Sequence, residues 1–177
     1  MKKYLALAVL AMAAVTASAQ HNMWMGGSMS VNTDSNDQAE KNSKEFTIAP
    51  EMGFNFSDHW AMGIALAYSH QNQDIITNSF AINPFVRYTC STVGNFCFFL
   101  DTGVGYGIHH INGVDDNINH LKIGMNPGMK YCINDRMGLV AHMGEISFTH
   151  AWQDDEKTDN FHASIIDDIS FGFYINL

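Results

Sequence analysis

The sequence predicts an all-β fold, an eight-stranded antiparallel up-and-down transmembrane β-barrel, and three observations predict it. The first is the end of the chain, where Ile169, Phe171, Phe173, Ile175 and Leu177 alternate with Ser170, Gly172, Tyr174 and Asn176. A period of two running to the terminus marks a strand with one apolar face. A closing barrel strand that faces lipid has this form. The second is the start of the chain. Lys2 and Lys3 precede an apolar run from Leu5 to Val15, too short to span a bilayer well, and Ala17-Ser18-Ala19 follows it. This reads as a signal peptide over residues 1–19, cleaved after Ala19, with residues 20–177 forming the barrel domain. An uncleaved anchor is the alternative; no Cys follows the cut, which excludes a lipoprotein signal. The third is that the same alternation recurs seven times before the last strand.

Taken in order, the first segment runs from about Met23 to Asn32, with Met23, Met25, Met29 and Val31 set against Trp24, Gly26, Ser28 and Ser30. The second sets Phe46, Ile48, Pro50, Met52, Phe54 and Phe56 against Thr47, Ala49, Glu51, Gly53 and Asn55. The third opposes Trp60, Met62, Ile64, Leu66 and Tyr68 to four small residues and a serine. The fourth sets Phe80, Ile82, Pro84, Val86 and Tyr88 against Ala81, Asn83, Phe85, Arg87 and Thr89. The fifth carries Phe96 to Tyr106 on one face, and Cys97, Phe99, Asp101, Gly103, Gly105 and Gly107 on the other. The sixth opposes Leu121, Ile123, Met125, Pro127, Met129 and Tyr131 to Lys122, Gly124, Asn126, Gly128 and Lys130. The seventh begins in phase at Met137, Leu139, Ala141 and Met143, but Glu145 breaks it, which predicts a bulge near Gly144. The eighth begins near Ser164. Prolines at 50, 84 and 127 fall inside strands and require bulges or local ladder breaks.

The connections alternate in length. Three are tight (57–59, 91–95 and 133–136), and four are long and polar (33–44, 70–78, 108–120 and 149–163). Short periplasmic turns and long external loops are the rule for outer-membrane barrels. Phe54, Phe56, Trp60, Tyr88, Phe96, Tyr131 and Phe173 gather at the turn ends, as an interfacial girdle should. The soluble alternative is a lipocalin-like barrel with its apolar face turned inward.

Composition sets limits on partners. The 158 residues after the cleavage site carry seven basic side chains against eighteen acidic ones, a net charge of −11. That argues against nucleic acid or an anionic membrane surface as an electrostatic partner. The hydrophobic fraction of 46% and mean hydropathy of −0.09 are what two alternating faces average to.

The signal peptide, the eight strands, the short turns and the ending Ser170 to Leu177 resemble the small OmpX/OmpA-type outer-membrane barrels over the whole mature chain. The family usually ends in Phe, where this chain has Leu177, a difference that concerns recognition by the barrel-assembly machinery. The resemblance implies residence in the outer membrane of a Gram-negative bacterium among lipid and lipopolysaccharide, as a monomer. It also implies adhesion, contact with a surface ligand or host protein, or envelope maintenance.

The inward face carries Glu51, Arg87, Asp101, Lys122, Lys130 and, past the bulge, His142. An eight-stranded interior is only wide enough for side chains, so these charges must pair and form an ionic plug. Pairing the fifth and sixth strands about the centre of their loop places Asp101 close to Lys130. The same register sets Cys97 opposite Cys132, a geometry for a cross-strand disulfide, with Cys90–Cys97 as the rival and free thiols as the third state. Gly103 to Gly107 lacks the helix a nucleotide loop needs, and its glycines instead relieve crowding in a narrow lumen. His109, His110 and His120 form the best metal-ligand set, against the plainer reading of exposed polar residues. No metal or other cofactor is expected, and no acidic spacing matches an EF-hand. Some eight-stranded barrels modify lipid A, and His162-Ala163-Ser164 resembles the His-x-Ser pair of such a deacylase, without the later Glu. The expectation is a non-enzymatic protein acting through its loops, with a narrow porin-like channel as runner-up and a lipid A-modifying enzyme third.

Overall fold

The computed structural model describes residues 22–36, 41–72, 76–111, 117–154 and 156–177. The side chains at 32–36, 41–44 and 165–168, and the expected signal peptide, lie outside this description. The strands are β1 (Met23–Asn36), β2 (Lys41–Asn55), β3 (Trp60–Asn72), β4 (Ile76–Val93), β5 (Phe96–Ile111), β6 (Ile118–Cys132), β7 (Met137–Gln153) and β8 (Glu156–Asn176). Each pairs antiparallel with its sequence neighbour, and β8 returns to β1 to close the barrel.

The alternation of the sequence becomes an inverted molecule. Met62, Ile123 and Phe171 point outward at 52%, 56% and 63% exposure, whereas Glu51, Arg87 and Asp101 are buried inside. A soluble barrel would reverse this, because water tolerates no continuous apolar belt of such size. The belt's solvent is therefore lipid, and closure satisfies the backbone within it. At the turn ends the belt closes with aromatic pairs on facing positions: Trp60 with Tyr88 at 4.7 Å and Phe96 with Tyr131 at 4.9 Å between ring centroids.

Each proline sits where one of its two ladders lapses. Pro50 faces Gly27 of β1, but β2–β3 pairing skips from Ile48↔Tyr68 to Glu51↔Ala65. Pro84 faces Ile64, and β4–β5 pairing skips from Ile82↔Tyr106 to Phe85↔Gly103. Pro127 faces Leu100, and β6–β7 pairing shifts between Met125 and Gly128. A missing N–H costs nothing on a side where no ladder bond is made. The bulge expected near Gly144 is present: Gly144 has φ 77°, and the β7–β8 register shifts between Met143 and Glu145.

The loop-side connections differ from expectation. Of the four long polar segments, most residues are strand: β1 reaches Asn36, β3 runs to Asn72, and β8 begins at Glu156. A membrane-crossing strand needs ~9–11 residues, so β8 with 21 and β4 with 18 project well beyond the belt. Outside lipid, backbone pairing continues without an apolar face to advertise it, and an apolar period cannot detect such hairpins.

Candidate functional site

The lumen is divided by a septum built from inward side chains of six strands. Arg87 of β4 faces Asp101 of β5 directly in register. Its Nε and Nη2 each donate to one carboxylate oxygen of Asp101 at 2.6 Å, a two-point geometry that suits arginine better than lysine. His142 of β7 reaches the same carboxylate at 3.1 Å and stands 3.4 Å from the Ser170 hydroxyl. Four rings surround the guanidinium: Phe99 at 4.0 Å, Trp24 and Tyr174 at 5.0 Å, and Phe85 at 5.3 Å from its central carbon. Ring faces attract a desolvated cation, so the box offsets part of the cost of burying Arg87. Glu51 of β2 completes the cluster. Its Oε1 and the Tyr174 hydroxyl have no hydrogen-bond partner.

The rings fit because each stands on a glycine of the next strand. Trp24 faces Gly53, Phe85 faces Gly63, Phe99 faces Gly128, and Tyr174 faces Gly26. A side chain at any of these glycines would strike the ring; at Gly63 the added carbon would lie 2.6 Å from Phe85. Gly103 is similar, with a Cβ 2.6 Å from the Pro84 carbonyl, in keeping with the crowding read from the sequence.

Above and below the septum lie two chambers. The upper one, toward the long hairpins, has a volume of about 440 Å³ and is lined by Glu45, Glu51, Lys122, Asn126 and Glu145 among others. The lower one, toward the turns, holds about 410 Å³ and is lined by Arg87, Cys97, Lys130 and Tyr174 among others.

Of the five charges expected to form the plug, Glu51, Arg87 and Asp101 meet in the septum. Lys122 lies higher and donates to Glu145 at 2.8 Å. Lys130 does not reach Asp101. The β5–β6 register places Lys130 opposite Cys97 and Asn126 opposite Asp101, two residues away from the register that sets Cys97 opposite Cys132. The strands run past that loop's expected ends to Ile111 and Ile118, so those ends do not mark where the hairpin turns.

That shift also sets Cys132 diagonal to Cys97 rather than opposite it, and both thiols are free in this structure, as is Cys90. The two sulfurs remain neighbours. The histidine set divides. His109 and His120 stack at 4.4 Å between ring centroids, whereas His110 is exposed and bonds Asn117. His109 is held by the Ser79 hydroxyl. Among the described residues no group of three metal-ligating side chains converges. His162 faces Ser147, and Ser164 faces Glu145 across the β7–β8 ladder.

The aromatic box was missed from the sequence. Its signal was there: Trp24, Phe85, Phe99 and Tyr174 are the large rings placed on the otherwise small or polar lumen face.

The chain matches the model of the outer membrane protein beta-barrel domain over residues 4–166. It belongs to that family. Among solved structures it is similar to Neisserial surface protein A, with a TM-score of 0.62 and 12% identity over 88% of this chain and 97% of that one. It is also similar to the outer membrane protein OprG from Pseudomonas aeruginosa, with a TM-score of 0.51 and 11% identity over 88% and 95% of the two chains. At such identities the likeness concerns the fold. No curated protein matches the chain. The family and the barrel place the protein in the Gram-negative outer membrane.

Proposed function

We propose that this outer-membrane barrel works without enzymatic chemistry, as a surface-exposed scaffold. Its external hairpins would meet a ligand or host protein in adhesion, or brace the envelope. The septum carries this reading. A lumen filled at Arg87 by a bonded carboxylate and four rings leaves the projecting hairpins as the surface open to partners, and fold alone assigns no chemistry. Export would be directed by residues 1–19 and followed by cleavage after Ala19, with delivery by the barrel-assembly machinery. Lipid and lipopolysaccharide would contact the apolar belt of a monomer. The acidic hairpins, with Asp74, Asp115, Asp116, Asp154, Glu156 and Asp159 among their residues, disfavour nucleic acid.

The test compares cells displaying the full protein with cells displaying variants whose residues 37–40, 73–75 and 112–117, which link the paired strands in sequence, are replaced by two-residue turns. Binding to host-cell surfaces, or resistance of the envelope to detergent, should fall in the trimmed variants while the barrel stays folded. Unchanged binding and unchanged resistance would refute the scaffold reading.

The second reading, a narrow channel, is favoured by the chambers of about 440 and 410 Å³ that only the septum separates. Steady single-channel conductance of the unaltered protein in planar bilayers would support it over a closed barrel. Lipid hydrolysis lost in both His162→Ala and Ser164→Ala would instead make the protein an enzyme.

A further inference from the structure

The ladder that closes the barrel is shorter than the strands it joins. β1 pairs with β2 as far as Asn36↔Lys41, but with β8 it pairs only from Trp24↔Asn176 to Met29↔Phe171. Beyond that point Ser30 and Val31 on one side, and Ile169 and Ser170 on the other, have no ladder partner across the seam. β8 departs from β1 beside its own irregularity. Its pairing with β7 passes from Met143↔Ile169 to Glu145↔Ser164, so residues 165–168 are spent opposite Gly144 alone.

The unpaired stretch lies at lipid depth. Met29, Val31 and Phe171, which flank it on the outer face, are apolar and 55%, 69% and 63% exposed. Unpaired backbone at that depth is tolerated only where it lines a cavity. Here it does so: Ser28 and Ser30 of β1 and Ser170 of β8 line the upper chamber. Between lipid and chamber, this stretch of the wall is held by no β1–β8 ladder pair.

The chamber's chemistry selects what could enter. It holds the carboxylates of Glu45, Glu51, Asp101 and Glu145. Arg87 occupies Asp101 and Lys122 occupies Glu145, which leaves Glu45 and Glu51 with no bonded cation among the described residues. Glu51 is only 5% exposed; Arg87 and the Tyr174 hydroxyl lie near its carboxylate, but its Oε1 makes no hydrogen bond. A buried carboxylate oxygen without a donor is an incomplete interaction, and an ammonium group supplies both the donors and the charge.

We propose that the β1–β8 seam is a lateral doorway for a single-tailed cationic amphiphile. Its amine head passes from the outer leaflet into the upper chamber and bonds Glu51 and Glu45, while its tail stays in lipid beside Met29, Val31 and Phe171. Lipid heads that carry phosphate are repelled by the same carboxylates. This site goes beyond the scaffold reading, because it needs neither the hairpin tips nor an open lumen.

The experiment uses the whole barrel in phosphatidylcholine nanodiscs with labelled methionine methyl groups. Met29 lies at the seam, while Met62 and Met125 lie elsewhere on the belt. Dodecylamine should shift the Met29 methyl saturably and leave the other two on the shallow slope of bulk partitioning. Dodecyl sulfate, with the same tail and the opposite charge, should give no saturable shift. Glu45→Gln should weaken the dodecylamine response about tenfold. A staple made by Ser30→Cys and Ser170→Cys, in a background with Cys90, Cys97 and Cys132 changed to Ser, should abolish the response until it is reduced. Butylamine, which has no long tail, should still reach the chamber through the mouth of the stapled barrel. Equal saturation by dodecyl sulfate, or an undiminished dodecylamine response in the oxidised staple, overturns the doorway. The two-probe comparison on the unaltered protein decides the matter even if the stapled variant does not fold.

Discussion

Arg87→Met removes the centre of the septum, and its cost can be worked from the contacts. The Arg87 and Asp101 side chains are 8% and 10% exposed, and two bonds of 2.6 Å join them. Without the guanidinium, Asp101 keeps only His142 at 3.1 Å, and Glu51 loses its nearby positive charge. Breaking a buried pair from one side typically costs about 3–5 kcal/mol, because the remaining charge stays buried and unpaired. Replacing both partners leaves no such orphan, so Arg87→Met with Asp101→Leu should recover much of the loss. A coupling energy of about 2 kcal/mol or more between the two sites is expected. Arg87→Lys should rescue poorly, since an ammonium cannot make the two-point contact or stack within the four rings. The assay is urea unfolding of the barrel in lipid vesicles, followed by tryptophan fluorescence for all four members of the cycle, with a common denaturant slope as the check on two-state behaviour. A cost below about 1 kcal/mol for Arg87→Met, or strict additivity in the double variant, would refute the septum as an interdependent unit.

Gly128→Val drives a side chain into the Phe99 ring and should cost about 1–3 kcal/mol by overpacking in the same unfolding assay; a neutral result would mean that the ring is not fixed. Lys122→Met should cost less than about 1 kcal/mol even though Lys122 bonds Glu145 at 2.8 Å, because the lysine is 37% exposed and solvent screens the pair; a larger loss would show that the upper pair is structural. Protein isolated under oxidising conditions should carry a Cys97–Cys132 disulfide with Cys90 free, as read by mass spectrometry of non-reduced peptides; a Cys90–Cys97 link would contradict the neighbouring thiols. In the reduced protein half-buried Cys132 should be alkylated more slowly than exposed Cys90; equal rates would count against that burial.

The belt was legible because lipid imposes a strict rule. Every outward position between the girdles must be apolar, so β3 and β8 announced themselves residue by residue, and Glu145 betrayed the bulge at Gly144. Where lipid ends, the rule ends. The hairpin extensions from Thr33 to Asn36 and from Glu156 to Ala163 show no apolar alternation in sequence and read as loops, although their backbones stay paired. Burial of Glu51, Arg87 and Asp101 followed from their phase, but their partners did not. Partnership depends on register, and register across β5–β6 depends on where the hairpin turns. A shift of two residues from the Cys97–Cys132 register set Asn126 opposite Asp101 and carried Lys130 away from it. The aromatic box was hidden for a different reason: its logic is a ring on one strand and a glycine on the next, which no single strand displays. The seam was beyond reach because the terminal alternation of β8 says nothing of how far its pairing with β1 extends.

The central claim is a closed barrel with its apolar face in lipid, and heat-modifiability of the mature protein from outer-membrane fractions tests it most directly. Unboiled and boiled samples run side by side on SDS gels should migrate differently, with the folded form resisting detergent until heated. Identical migration, together with recovery of the protein from the soluble periplasmic fraction, would contradict the account and turn the apolar face inward.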